Sequence, residues 1–316
     1  MSELSPFDIQ VNGYAGADFN ADELDAEDLE RACQALRSDG VGSILATVIT
    51  AELEAMERRL RRLVELRARS PLATEMIAGL HIEGPFISPV PGFVGAHPAE
   101  AVRRAELDSM KRLLEASGGI ARLVTLAPEQ DPGARLTAML TGEGVCVSAG
   151  HTDASLDELR AAIDAGMGMF THVGNGCPVE MHRHDNIVQR ALSLCDDLWM
   201  CFIPDGVHIP FMALRNYLRC AELERCIFVT DAISAAGLGP GDYTLGTRKI
   251  VIGDDGIAWA ADRKNFAGST VTMPTMRANL EKELGLGAEE ITATTAIHPR
   301  KALGLEIENV EKETES

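Results

Sequence analysis

The 316-residue sequence is poor in basic residues, with 29 Lys and Arg against 48 Asp and Glu, which gives a formal net charge of −19. A nucleic-acid backbone or an anionic membrane surface is bound through a basic face, so neither partner is expected. Long hydrophobic runs are missing too, because the longest apolar stretch, Cys201 to Leu214, is broken by Asp205 and His208. A membrane-spanning helix needs about 20 apolar residues, so none is predicted.

Neither paired cysteines nor a leader segment is expected. The seven cysteines are scattered and form no C-x-x-C pair, which predicts reduced thiols in a cytoplasmic protein. Met1 to Gln10 shows no basic segment followed by an apolar one, so no signal peptide is expected. The sequence contains no G-x-S-x-G elbow, no H-E-x-x-H helix, no Walker loop and no G-x-G-x-x-G turn after its first predicted strand.

What the sequence does contain is a regular alternation of short apolar runs and amphipathic segments. Several runs are continuously apolar, as expected of strands buried on both faces. The eight runs are Phe7–Val11, Ser43–Ile49, Ile77–Glu83, Arg122–Leu126, Val145–Ala149, Met169–Val173, Trp199–Ile203 and Cys226–Thr230. Between them, Asp25 is a candidate helix N-cap and Ser155 to Glu158 has the form of a capping box. The pattern predicts an α/β fold, a closed (β/α)₈ TIM barrel, with an open doubly wound sheet as the alternative.

After the eighth run, the sequence predicts a β-hairpin over about residues 247–261. Lys249–Ile252 and Ile257–Trp259 flank a Gly-Asp-Asp-Gly turn there. Residues 1–305 are expected to form one barrel domain that contains this hairpin. Residues 306–316 are expected to be a short acidic tail.

Ionisable residues collect at the carboxyl ends of the predicted strands, the rim where parallel barrels carry their functional groups. Glu83 ends the third strand, His151 follows the fifth, His172 lies at the end of the sixth and Asp231 follows the eighth. One carboxylate and two imidazoles suit a catalytic divalent metal such as Zn²⁺, so Glu83, His151 and His172 are the predicted ligands. Such a metal lowers the pKa of a bound water towards about 7. Asp231 is then the predicted general base.

Further histidines lie on the same rim and are predicted to surround the metal rather than bind it. His208, in the loop after the seventh strand, could hydrogen-bond a substrate, and His97 lies in the loop after the third. His81 precedes Glu83 by two residues on the same strand face, which indicates a supporting position. Any one of these histidines could instead be a satisfied core or surface residue. The coincidence of three candidate ligands and an acid at strand ends favours a metal-dependent hydrolase.

A series of short segments stands in order along nearly the whole chain. The segments are Asp8-Ile9-Gln10-Val11-Asn12-Gly13, His81-Ile82-Glu83-Gly84-Pro85-Phe86, Gly95-Ala96-His97, Val147-Ser148-Ala149-Gly150-His151-Thr152, Thr171-His172, Asp205-Gly206-Val207-His208, Thr230-Asp231-Ala232 and Ala267-Gly268-Ser269-Thr270-Val271-Thr272-Met273. Together they resemble the N-acetylglucosamine-6-phosphate deacetylase family of the amidohydrolase superfamily. The resemblance implies hydrolysis of the N-acetyl amide of N-acetylglucosamine 6-phosphate, giving glucosamine 6-phosphate and acetate.

At the reacting centre, the resemblance implies one divalent metal held by Glu83, His151 and His172. Asp231 matches the catalytic aspartate of the family. His97 matches a histidine that engages the sugar or the scissile carbonyl. Zn²⁺ is the expected metal, and the same ligand set also accepts Fe²⁺, Co²⁺ or Mn²⁺.

For the substrate, the resemblance implies a small amino sugar phosphate and a homodimeric enzyme. The implied substrate-binding residues are His208, Asn175, Gly176, Arg183, Gln10 and Asn12. His208, Asn175 and Gly176 would lie at the phosphate, and Gln10 and Asn12 on the first-strand side. Arg183 would reach the phosphate across the dimer interface, where its planar guanidinium can bind bidentately.

The sequence departs from the family pattern in three places. Val173 to Pro178 stands where the family has a bulky residue before Asn-Ala-Met, and Val179 to Asn186 replaces a segment rich in Gly and Pro. These segments should determine specificity for the phosphate and the sugar. Two alternatives are therefore open: the protein hydrolyses a different N-acyl substrate, or it is an inactive barrel that acts as a binding protein. The first strand begins by Phe7 and the sequence stops soon after Leu305, so the family's small β-sandwich is expected to be reduced or absent.

Overall fold

The computed structural model describes residues 4–260 and 266–306, and a barrel of parallel strands forms its centre. The strands are β1 (Phe7–Val11), β2 (Ser43–Ile49), β3 (Ile77–Glu83), β4 (Ala121–Leu126), β5 (Cys146–Ala149), β6 (Met169–Phe170), β7 (Trp199–Phe202) and β8 (Cys226–Phe228). Each strand is hydrogen-bonded to the next along the chain, and every such pair is parallel. This sequential order confirms the predicted α/β barrel and excludes the doubly wound sheet, whose strand order reverses.

The barrel closes between β8 and β1 through side chains rather than through a full strand ladder. The Asp8 carboxylate on β1 accepts hydrogen bonds from the Thr230 N–H at 3.3 Å and from the Thr230 hydroxyl at 2.5 Å. A single parallel bridge joins Val11 to Ala232, and the Asn12 N–H donates to the Ala232 carbonyl at 2.7 Å. Closure is therefore made just past the carboxyl end of β8, beside Asp231.

Asp8 is expected to make the closure sensitive to pH. Burial, opposed by the hydrogen bonds from Thr230, raises the pKa of Asp8 from 3.8 to about 7. The unfolded chain loses this proton first, so the folded state loses stability as pH rises from about 4 to 7, by up to about 4 kcal/mol. Asp8→Asn should remove this loss. In urea unfolding, the free energy of unfolding of the variant should rise relative to that of wild type as pH increases from about 4 to 7. A difference between the two proteins that does not change with pH would contradict the prediction.

Helices follow most of the strands and cover the outside of the barrel. They are α1 (Ala26–Ser38), α2 (Leu53–Arg69), α3 (Pro71–Met76), α4 (Leu107–Ala116), α5 (Arg135–Gly142), α6 (Leu156–Asp164), α7 (Ile187–Leu192), α8 (Phe211–Ala221), α9 (Met273–Lys282), α10 (Ala288–Thr292) and α11 (His298–Ala302), with a π-helical turn at Ala293–Ile297. Asp25 caps α1 by accepting from the Asp28 N–H at 2.8 Å, and the predicted capping box begins α6. Within the described ranges, no helix is long and apolar enough to cross a membrane.

Three strands end earlier than the sequence predicts, the seventh by one residue and the sixth and eighth by more. The sixth run, Met169–Val173, is a strand only over Met169–Phe170, and the eighth, Cys226–Thr230, only over Cys226–Phe228. The backbone leaves the sheet at His172 and Asp231, where φ is 29° and 50°. Residues other than glycine rarely adopt this left-handed backbone conformation, and backbone strain of this kind clusters at functional sites.

A three-stranded antiparallel sheet adjoins the carboxyl-end rim of the barrel. Its strands are β9 (Gly241–Leu245), β10 (Arg248–Ile252) and β11 (Ala258–Ala260), paired in that order. β10 and β11 pair antiparallel in the segment predicted as a hairpin, and β9 adds a third strand that the sequence analysis does not predict. Residue 261, the end of the predicted hairpin, lies outside the described residues. The apolar face of this small sheet packs on Ile49, Ile233 and Ala267. Residues 307–316 are also outside the described ranges, so the domain boundary at residue 305 stays a prediction.

Candidate active site

A pocket of about 470 Å³ opens at the carboxyl ends of the barrel strands, a volume typical of small-molecule sites. All three predicted metal ligands and both predicted catalytic residues line it and are buried. These five are Glu83, His97, His151, His172 and Asp231. The lining also includes Asn12, Ile49, Asn175, Gly176, Tyr217, His208, Leu245, Trp259 and Phe266. The structure thus brings the strand-end residues into one cavity.

The ligand atoms of four of these residues converge. His172 Nε2 lies 3.1 Å from Glu83 Oε1, and His151 Nε2 lies 3.3 Å from the same oxygen. His97 Nε2 lies 3.2 Å from His151 Nε2. Glu83, His97 and His151 each offer an atom within 4.8 Å of the other two. The three predicted ligands are therefore adjacent, and His97 is a fourth candidate.

The hydrogen bonding of His151 indicates that this cluster can bind a cation. His151 Nδ1 lies 2.8 Å from the carbonyl oxygen of Phe93, which can only accept, so Nδ1 carries the proton. Nε2 is then the nitrogen that faces Glu83 Oε1, at 3.3 Å, and the one available to a metal ion that the carboxylate also binds. One carboxylate and imidazole nitrogens suit a divalent transition metal.

Gln10 orients the carboxylate of the cluster. Its Nε2 donates to both carboxylate oxygens of Glu83, at 3.3 and 3.2 Å. Although burial acts to raise the pKa of Glu83, the neighbouring imidazoles hold it well below its usual range, so Glu83 is ionised. The resemblance implies that Gln10 lines the first-strand side of the site, and in the structure its amide hydrogen-bonds to Glu83.

Asp231 is the acid–base candidate of the pocket. Asn12 Nδ2 donates to Asp231 Oδ1 at 2.7 Å, while the buried Asn12 Oδ1 has no hydrogen-bond partner within the described residues. Burial, and next the charge of Glu83, raise the pKa of Asp231 to about 6. A carboxyl group with a raised pKa in a pocket is typical of acid–base sites.

His151 is held rigidly by its surroundings. Its φ of 51° is left-handed, like those of His172 and Asp231. The backbone at Gly95 and Gly176 packs on the imidazole ring so closely that a Cβ on either glycine would approach ring atoms to 2.9 Å. Gly176, implied by the resemblance to bind phosphate, therefore also fixes a candidate metal ligand.

The residues implied for the phosphate end have different surroundings. His208 lines the pocket, and its Nδ1 lies 2.6 Å from Asp205 Oδ2, which fixes the ring. Asn175 lines the pocket with a buried Nδ2 that has no hydrogen-bond partner in the described part of the chain. Arg183 is exposed and does not line this pocket. The orienting contact of Asp205 was not predicted, although the Asp205 to His208 segment contains both partners.

His81 lies in the barrel interior. Its Nδ1 is 3.3 Å from Thr47 Oγ1 and its Nε2 is 2.8 Å from Thr125 Oγ1. Burial lowers the pKa of His81 to about 4, so the ring is neutral. Both nitrogens have partners, which agrees with a supporting position behind Glu83.

Sequence reasoning missed one side of the pocket, an aromatic wall formed by Trp259 and Phe266. Their ring centroids are 4.7 Å apart, and both residues line the cavity. No motif identifies them, because their position depends on how the small sheet folds onto the barrel.

Comparison with known proteins identifies the family, although no family model matches the chain. The N-acetylglucosamine-6-phosphate deacetylase of Bos taurus is 33% identical over 307 residues, covering 95% of this chain and 73% of that protein. The chain belongs to the N-acetylglucosamine-6-phosphate deacetylase family. The resemblance carried by the motifs is thereby confirmed. A relative from Escherichia coli O157:H7, named as an N-acetylgalactosamine-6-phosphate deacetylase, is 31% identical over 299 residues, covering 95% of this chain and 77% of that protein.

Solved structures of family members superpose on the chain. The deacetylase of Mycobacterium smegmatis, an Asp-to-Ala variant in complex with N-acetyl-D-glucosamine-6-phosphate, matches with a TM-score of 0.85 and 31% identity over 96% of this chain and 77% of that one. The Thermotoga maritima deacetylase matches with a TM-score of 0.84 and 28% identity over 96% and 78%. The chain spans about three quarters of the length of these family members.

Proposed function

We propose that the chain hydrolyses the N-acetyl amide of N-acetylglucosamine 6-phosphate to glucosamine 6-phosphate and acetate. The observation that carries this proposal is the convergence of Glu83, His151, His172 and Asp231 in one buried pocket. Membership of the deacetylase family supports the substrate class. N-acetylgalactosamine 6-phosphate is a second candidate, because a relative of nearly equal identity is named for it.

One divalent metal, Zn²⁺ by preference, would be held by Glu83, His151 and His172. These three stand at the ends of barrel strands. His97 lies instead in the loop after β3, where its own backbone carbonyl accepts a hydrogen bond from Arg248 at 3.1 Å. When bound, the metal supplies Lewis acidity and lowers the pKa of water.

His97 would polarise the amide carbonyl. Burial holds the pKa of His97 well below its usual range, so its ring is neutral. A neutral imidazole donates through one nitrogen only, and an N–H directed at the carbonyl oxygen stabilises the negative charge that develops there.

Asp231 would move the proton of the reaction. Asn12 fixes Oδ1, so that Oδ2 is the oxygen for the reacting groups. The carboxylate takes a proton from the attacking water as the new C–O bond forms, and delivers it to the sugar nitrogen as the C–N bond breaks. A pKa raised towards neutrality suits a group that must both accept and return a proton.

The phosphate would be bound at His208, Asn175 and Gly176. Among the described lining residues there is no Lys or Arg, and the net charge of −19 gives no general attraction for a phosphate. A second copy of the chain would supply a cation through Arg183, and the enzyme would then be a homodimer.

Subunit complementation tests this arrangement. Arg183→Ala and Asp231→Asn should each lower acetate release from the sugar phosphate. Subunits unfolded and refolded together should regain activity, because a mixed dimer contains one site with both Asp231 and Arg183. Activity in the mixture no greater than the sum of the two variants would contradict a site shared between subunits.

Acetate release from a small panel of substrates tests the function itself. N-acetylglucosamine 6-phosphate should give a kcat/KM roughly 10²-fold or more above that of N-acetylglucosamine, because binding groups for phosphate are left unpaired by the neutral sugar. A preference for N-acetylgalactosamine 6-phosphate would favour the second candidate. Release from non-phosphorylated N-acyl compounds alone would favour another amidohydrolase activity. Bound metal without hydrolysis of any member would favour a binding protein.

A further inference from the structure

The aromatic wall is built as a fixed part of the pocket. Trp259 and Phe266 are joined by an antiparallel β-bridge, which directs side chains of opposed residues to the same face. The segment carrying Phe266 continues to Ser269, whose N–H donates to the Asp231 carbonyl at 2.9 Å. The wall is thus tied through the backbone to the residue that would move the proton.

The wall lies beside the phosphate end of the pocket. The Phe266 ring centroid is 5.1 Å from that of His208, the residue implied at the phosphate. Glu83, His97, His151 and His172 contact one another, and none has a ring contact with the wall. A substrate with its amide at the metal ligands and its phosphate at His208 must place its sugar ring between these two ends.

We infer that Trp259 and Phe266 form a stacking surface for the apolar C–H face of the pyranose ring. This inference rests on the proposed function. A pyranose carries its hydroxyl groups around its edge and exposes C–H groups on its faces, so one face matches an aromatic ring. Both side chains are half-buried, so their pocket-facing surface is available for such a contact.

Stacking on the wall would be the same in the ground state and in the transition state, because the sugar ring does not react. Loss of such uniform binding raises KM and leaves kcat unchanged. Trp259→Ala should therefore raise KM for N-acetylglucosamine 6-phosphate about 10-fold, as expected for one aromatic contact, with kcat altered by less than about threefold. Trp259→Phe keeps a ring and should recover most of the affinity.

Trp199 offers a matched control, since it is the other tryptophan of the chain. It stands at the start of β7, where its ring contacts His298 at 5.4 Å and the Arg225 guanidinium at 5.3 Å, outside the pocket. Trp199→Phe should leave both kinetic constants unchanged. In the Asp231→Asn background, the Trp199→Phe protein should change its fluorescence when N-acetylglucosamine 6-phosphate is added, and the Trp259→Phe protein should not.

The kinetic comparison separates this inference from the proposed function. If wild type releases no acetate from either sugar phosphate, the proposed function fails and the inference falls with it. If wild type is active and Trp259→Ala has the same KM, only the inference is overturned. If Trp259→Ala instead changes the ratio of kcat/KM between N-acetyl and N-propionyl substrates, the wall contacts the acyl group. That result also overturns the inference.

Discussion

Asp231→Asn is expected to keep its metal and to lose acetate release by roughly 10² to 10⁴-fold, the usual contribution of a positioned acid–base group. Asparagine has the same shape as aspartate and is among the side chains that tolerate a left-handed backbone, so the φ of 50° is no obstacle. Its Oδ1 can still accept from Asn12 Nδ2. The amide cannot exchange a proton with water or with the leaving nitrogen.

Asp8→Asn is the matched control for this variant. Asp8 is another buried acid at the β8–β1 closure, and it does not line the pocket. Its substitution should leave kcat near that of wild type. Metal content measured on the same Asp231→Asn sample separates loss of proton transfer from loss of metal. Turnover by Asp231→Asn within about tenfold of wild type would rule out Asp231 as the proton-transfer group.

Glu83→Gln is expected to lose the metal and, with it, activity by roughly 10³-fold or more, because metal activation supplies several kcal/mol to such reactions. Glu83 is the only negative charge among the three proposed ligands. Its carboxylate lies within 3.3 Å of both His151 and His172. A neutral amide at the same place removes the charge that offsets the cation in a buried site.

Glu57→Gln controls for loss of a buried glutamate elsewhere. Glu57 lies on α2, is also buried, and pairs with Arg61 and Arg112 away from the pocket. The Glu57→Gln protein should retain both its metal and its acetate release. Elemental analysis after dialysis, together with thermal unfolding of each protein, gives the comparison. A Glu83→Gln protein that is folded and retains a full equivalent of metal would show that Glu83 is not a ligand.

Much of the barrel could be predicted from the sequence because its strands are buried on both faces and appear as apolar runs. The bounds of β1, β2 and β3 agree with the predicted runs. The runs of β6 and β8 are too long, since an apolar pattern does not show that His172 and Asp231 leave the sheet in left-handed conformations. Closure through Asp8 and Thr230 was likewise unpredicted, because it pairs side chains more than 200 positions apart.

The proximity of the strand-end residues could be predicted, since parallel strands deliver their carboxyl ends to one rim. The contacts that orient them could not. Gln10 hydrogen-bonds to Glu83, Asn12 to Asp231 and Asp205 to His208. Each contact depends on side-chain rotamers and on the positions of neighbouring strands. The aromatic wall depends on long-range packing of the small sheet, whose first strand, β9, gave no clear strand pattern.

Titration of metal into chelator-stripped protein tests the central claim most directly. Acetate release from N-acetylglucosamine 6-phosphate should be negligible without metal, rise in proportion to added Zn²⁺, and level off at one equivalent per chain. That result would support a single divalent metal at the strand-end cluster as the requirement for deacetylation. Full activity in the stripped protein, or a plateau only at two equivalents, would contradict it.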